Sequence, residues 1–221
     1  MLNNYMIGIV DDDNTHVLDI KRVFARYGKI NNINIDFQTF YRNEDNDYQQ
    51  IISSVIETIR DQKVDCVIID YKLVFVQETN RGADLINEIR DIVSEFPCII
   101  LTGRAEECIQ EFKVDPDKIY VKRDFLAIAT PKSDEMVKKI LMNIDIVKQR
   151  KAVLQAEINT LKEQLREFDG DSNKIIEEII SLESKLAKYC VVGQTEIDKF
   201  YDSTALEKIV DLLDQANELL D

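Results

Sequence analysis

The chain has 221 residues, 45% of them hydrophobic and 32% charged, with only six glycines and three prolines. This composition belongs to a globular protein built from long regular elements, and it excludes disordered, collagen-like and many-turned all-β chains. Acidic residues outnumber basic ones 42 to 28, a formal charge of −14, so the surface repels phosphate backbones and anionic lipid, and neither nucleic acid nor a membrane is an expected partner.

The first 130 residues alternate strand and helix patterns. Tyr5–Val10 is a short apolar run that stops at three aspartates, Asp11, Asp12 and Asp13. Asn14 is placed to cap a helix over about 15–27, with Val17, Leu18, Ile20, Val23 and Phe24 on its apolar face. Asp13 reads as a helix-start charge and His16 as an ordinary first-turn residue. Residues 33–40 alternate as a strand with Ile33, Ile35, Phe37 and Thr39 on one side. Residues 48–62 read as a helix through Ile51, Ile52, Val55, Ile56 and Ile59. Val64–Ile69 is a near-continuous apolar run ending at Asp70. Residues 82–96 carry Ala83, Leu85, Ile86, Ile89, Ile92 and Val93 as a helix ended by Pro97. Cys98–Leu101 is a buried-type strand ending at Thr102, Ala105–Phe112 a short helix, and Lys118–Val121 a fifth strand ending at Lys122. Five strands separated by helices predict a parallel sheet covered on both faces.

From Ser133 the pattern changes. Ile140, Ile144, Val147, Lys151, Leu154, Ile158, Leu161, Leu165 and Phe168 follow a 4-3 heptad spacing with one polar intrusion at Lys151. Asp169–Asn173 is a turn, and Ile175, Ile179, Leu182, Leu186 and Tyr189 resume the spacing. A coiled-coil hairpin is expected; the same seam also suits a homodimer. Val191–Asp202 reads as a connector and Ala205–Leu220 as a last amphipathic helix. The division is therefore 1–130 for the α/β domain and 131–221 for an all-α interaction region.

Targeting and metal-binding signals are sparse. No apolar run approaches the roughly 20 residues that cross a bilayer, and the first residues lack the pattern of a signal peptide. The four cysteines (Cys66, Cys98, Cys108, Cys190) have no paired spacing and His16 is the only histidine. Zinc is not expected, and the thiols read as reduced apolar residues of a cytoplasmic protein.

Ligands of open parallel sheets sit beyond the carboxyl ends of the strands. The residues there are Asp11, Asp12, Asp13, Asp70, Thr102 and Lys122. Crowded carboxylates suit a hard cation such as Mg²⁺ or Mn²⁺. A cation, an ammonium and a hydroxyl around one aspartate suit phosphoryl transfer, with the carboxylate attacking in line.

In these residues the chain resembles the receiver domain of bacterial two-component response regulators. The matching pieces are Asp11-Asp12 after IV, Asp70 in CVIIDYKL, Thr102 in IILTG, Lys122 in IYVKR and Gly82 in RGADLI, covering about residues 5–130. The resemblance implies a flavodoxin-like, doubly wound five-stranded α/β fold. It implies that Asp70 accepts a phosphoryl group from a sensor histidine kinase or phosphotransfer protein. Asp11, Asp12, Asp70 and the backbone carbonyl of Lys72 would hold Mg²⁺, and Thr102 and Lys122 would contact the phosphoryl group. Such a phosphorelay switch is not a conventional turnover enzyme. Two positions depart from the family pattern: Arg123 follows Lys122 where a proline is usual, and Ile119 stands where an aromatic switch residue is common, with Tyr120 one residue out of register. The loop over 73–80 is longer and more apolar than the family's.

The output region carries 13 basic against 19 acidic residues over 131–221, a net −6. That argues against DNA or RNA recognition helices and for a helical contact with a downstream protein. Two other readings stand beside this one. One is a receiver-like scaffold that is never phosphorylated. The other is a haloacid-type phosphatase, which wants an aspartate where Lys72 stands.

Overall fold

The computed structural model describes residues 4–40, 48–73, 82–112, 115–167 and 173–190. Strands β1 (Asn4–Val10), β2 (Asn34–Phe40), β3 (Cys66–Asp70), β4 (Cys98–Thr102) and β5 (Ile119–Val121) form one sheet in the order β2-β1-β3-β4-β5, parallel at every pairing. This is the flavodoxin-like order. The chain reverses its direction of travel across the sheet between β1 and β3, so their carboxyl ends open the crevice where such folds hold ligands.

β1, β3 and β4 are apolar along their central residues because helices cover both faces. On one face Ile7, Ile9, Cys66, Ile68, Ile99 and Leu101 pack against Val17, Ile20, Val23 and Phe24 of α1 (Asn14–Asn31) and Val137, Ile140, Leu141 and Ile144 of α6 (Pro131–Glu167). On the other lie α2 (Tyr48–Arg60), α3 (Gly82–Ile92) and α4 (Ala105–Phe112). The predicted stripe of α2 is buried in full, and so are Ala83, Leu85, Ile86 and Ile89 of α3. Cys66, Cys98 and Cys108 are buried. Burial pushes their thiols up, Cys98 to about 12 and Cys108 to about 11, so they are protonated packing groups.

Several boundaries differ from those read in the sequence. The cap of α1 is Asp13 rather than Asn14: Asp13 is extended and its carboxylate accepts the Thr15 N–H at 2.7 Å. Leu18 is 46% exposed, because it sits off the stripe formed by Val17, Ile20 and Phe24. α3 ends at Ile92, itself exposed. The residue before Pro97 disfavours helix, and a turn with Phe96 N–H bonded to the Val93 carbonyl replaces the last helical turn. A one-turn helix α5 (Lys122–Phe125) follows β5 directly. α6 then starts at Pro131, where a missing N–H costs nothing, and Ser133 donates its hydroxyl to the Phe125 carbonyl at 2.6 Å.

The heptad positions divide between two jobs. Ile140 and Ile144 close the sheet's core. Leu154, Ile158, Leu161 and Leu165 form a separate small core with Ile175, Ile179, Leu182 and Leu186, the last four on α7 (Asn173–Leu186). Lys151, the polar intrusion, lies at the changeover and donates to Gln62 Oε1 at 3.0 Å. α6 runs 37 residues, about 55 Å at 1.5 Å per residue, so one helix continues from the α/β core into the hairpin. The expected turn at 169–172, the connector and the helix over 205–220 lie outside the described residues, as does the loop over 74–80. Among the described residues, no helix is long and apolar enough to cross a membrane.

Candidate functional site

Parallel register builds the site. Val10 pairs with Ile69, so Asp11 comes one step after the pair that precedes Asp70, roughly one interstrand spacing of 4.8 Å away. Asp70 pairs with Leu101 and Thr102 with Val121. Thr102 and Lys122 therefore follow at the same rim, on β4 and just past β5.

The side chains converge. Asp11, Asp12 and Asp70 each offer a carboxylate oxygen within 4.8 Å of the other two. Asp11 is 2% exposed and Asp12 lies open at the rim. Lys122 crosses from the far edge of the sheet, and its Nζ donates to Asp70 Oδ1 at 2.7 Å and to Asp11 Oδ2 at 3.0 Å. The remaining carboxylate oxygens are held by backbone: Asp13 N–H donates to Asp11 Oδ1 at 2.9 Å and Lys72 N–H to Asp70 Oδ2 at 3.0 Å. Burial holds the Asp70 carboxyl above its ordinary range and the neighbouring Asp11 adds to this, while the Lys122 ammonium and the Lys72 N–H pull the other way. Three carboxylates thus face one ammonium, and the surplus negative charge suits a hard divalent cation.

Thr102 is buried, and its hydroxyl accepts the Arg104 N–H at 2.9 Å. Arg104 pairs with Glu107 Oε2 at 3.1 Å, and Tyr71, the residue after Asp70, donates its hydroxyl to Glu107 Oε1 at 3.3 Å. The start of α4 is thereby tied to the ends of both β3 and β4. Tyr120 turns inward and packs on the α1/α6 side of the sheet with Ile99 and Leu101.

Gly82 is needed for close approach. A Cβ there would stand 2.1 Å from the Asp70 carbonyl oxygen and 2.7 Å from Ile69 Cγ2. Gly82 N–H also donates to the Tyr71 carbonyl at 2.8 Å. The first turn of α3 therefore rests directly on the backbone that carries Asp70.

One site residue escaped the sequence reading. His16 Nδ1 lies 2.9 Å from Lys122 Nζ. Its place one turn into the helix behind the acidic run was the available signal, but nothing in the chain pattern pointed from there to Lys122.

No protein-family model matches this chain, and comparison with curated proteins finds no match. The class it defines is therefore structural: a flavodoxin-like α/β protein with an acidic cluster able to hold a metal ion at the carboxyl rim of its sheet.

Proposed function

We propose that this chain is a response-regulator receiver that accepts a phosphoryl group on Asp70 and hands the signal to a protein partner through its helical region. The observation that carries the reading is the Lys122 ammonium bridging Asp70 and Asp11 at the rim where three carboxylates converge.

The donor set fits Mg²⁺. All its oxygens are hard, and an octahedral ion with metal–oxygen bonds of about 2.1 Å takes ligand oxygens roughly 3–4 Å apart, which the 4.8 Å cluster reaches with small side-chain adjustments. Asp11, Asp12 and Asp70 would hold it with the Lys72 carbonyl. The ion would supply positive charge to the phosphoryl oxygens.

The chain's own residues do the rest. An Asp70 carboxylate oxygen forms the new P–O bond as the P–N bond of a partner's phosphohistidine breaks, and the electron pair leaves with the imidazole, which takes up a proton. Lys122 stands beside Asp70 to neutralise charge on the transferred group. Thr102 is the rim hydroxyl that would donate to it, since accepting the Arg104 N–H engages a lone pair and not the O–H. A helical output is supported by apolar side chains left at the surface of α6 and α7, among them Met142, Val153 and Ile180, each half or more exposed.

Incubation with acetyl phosphate and Mg²⁺, followed by intact-mass analysis, tests the reading. A labile phosphoryl adduct is expected on the wild type and none on Asp70→Asn. A folded wild type that takes no adduct, and does not bind beryllofluoride, would be a scaffold instead.

A further inference from the structure

Resting on the phosphoacceptor reading above, we infer that His16 is a positioning residue for phosphoryl transfer, acting as the third anchor of the Lys122 ammonium. An ammonium has three N–H bonds. At Lys122 two are taken by Asp70 Oδ1 and Asp11 Oδ2, and the third points to His16 Nδ1 at 2.9 Å. The other candidate partners of that nitrogen are too far for a hydrogen bond: Asp11 Oδ1 is at 3.7 Å and Asp13 Oδ2 at 3.6 Å. Since Lys122 can only donate, Nδ1 must be the acceptor and the ring proton sits on Nε2.

The anchor gains weight during the reaction. Formation of the acyl phosphate removes the negative charge from the Asp70 carboxylate, and Lys122 loses its shortest contact. Asp11 and His16 are then the two protein groups still holding the ammonium toward the crevice. Asp11 alone constrains one N–H and leaves the long side chain free to swing about it. With His16 holding a second N–H, the one released by Asp70 is aimed where the phosphoryl oxygens arrive. His16 does this from the first turn of α1, whose position Asp13 fixes by capping. The side chain is 40% exposed, so the contact serves placement of Lys122 more than burial of the ring.

The test compares His16→Leu, which removes the acceptor, with His16→Asn, which offers an oxygen where Nδ1 stands, and His16→Gln, whose oxygen reaches instead to the place of Nε2. Labelling by acetyl phosphate is expected to slow about tenfold in His16→Leu and His16→Gln and to stay within about twofold of wild type in His16→Asn, the size of one charge-assisted hydrogen bond. Beryllofluoride affinity should fall in the same order, while Mg²⁺ affinity measured by calorimetry and the melting temperature stay unchanged in His16→Gln. The single histidine gives an imidazole ¹⁵N spectrum that needs no assignment. In the neutral ring it should report the proton on Nε2, and Lys122→Met should move the Nδ1 signal.

Equal or faster labelling in His16→Gln, with the wild type labelled normally, overturns the role of His16 and leaves the phosphoacceptor reading standing. A ring proton found on Nδ1 does the same. Failure of the wild type to take any adduct overturns both. Should His16→Leu melt early, the contrast between His16→Asn and His16→Gln still decides.

Discussion

Replacing Gly82 with alanine probes the seat of the phosphoacceptor without touching a polar group. The new Cβ would meet the Asp70 carbonyl oxygen at 2.1 Å and Ile69 Cγ2 at 2.7 Å. Ordinary contact requires more than 3 Å, so the first turn of α3 and the end of β3 must part by about 1 Å in a close-packed interior. That retreat also stretches the 2.8 Å bond from Gly82 N–H to the Tyr71 carbonyl beyond useful length. Overpacking costs about 1–3 kcal/mol and a lost buried backbone hydrogen bond about 1 kcal/mol, partly offset by alanine's better helix propensity. The net is about 2–3 kcal/mol, or roughly 4–12 °C in melting temperature for a chain of this size. Because the displacement falls on the backbone of Asp70, labelling by acetyl phosphate should fall even at temperatures where the variant is fully folded. Circular dichroism melts and the intact-mass assay, run side by side, measure both effects. An alanine variant that melts with the wild type and labels at the same rate would show that α3 does not rest on Asp70 and would refute the reasoning.

Lys122→Met leaves Asp11, 2% exposed, and Asp70 facing each other with no ammonium between them. The metal-free variant should lose about 2–4 kcal/mol by thermal melting, and saturating Mg²⁺ should raise its melting temperature more than it raises the wild type's; equal Mg²⁺ effects in the two would count against a shared charge cluster. The folded state raises the carboxyl of Asp70, chiefly by burial, so folded protein binds that proton more tightly than the unfolded chain and this group's contribution to stability falls as pH rises above the ordinary aspartate value of about 3.9. In chelator, the stability of Asp70→Asn relative to wild type should accordingly increase as pH rises above that ordinary value, and a change of opposite sign would contradict the burial assigned to Asp70. Ile158 is fully buried in the α6–α7 core, and Ile158→Ala should cost about 2 kcal/mol, the low end for a small cluster. Hydrogen exchange should quicken over residues 173–186 while the sheet and Asp70 labelling are untouched; deprotection of β1 and β3 would mean that the hairpin and sheet cores are not separate.

Much of this architecture is local and could be read along the chain. Continuous apolar runs mark β3 and β4 because both faces of a parallel sheet are covered, and helical spacing marks α2 and α3 because one face of each is buried. Asp11, Asp70, Thr102 and Lys122 were legible for the same reason: each follows an apolar run, and strand ends in such sheets share one rim. Periodicity says which face of an element is buried, however, and never which face it meets. Only the strand order places Asp11 beside Asp70, and only the reach of the Lys122 side chain from the edge strand past β4 joins them. The same limit hid His16, whose partner lies 106 residues away, and the close approach of Gly82 to Asp70. That the first heptads pack on the sheet is legible in the chain, because the first arm of the hairpin is longer than the second, but the changeover at Lys151 is not, because 4-3 spacing looks the same whether a helix packs on a sheet or on another helix. Those contacts are decided by which surfaces meet after collapse, a property of the folded whole that no stretch of the chain carries by itself.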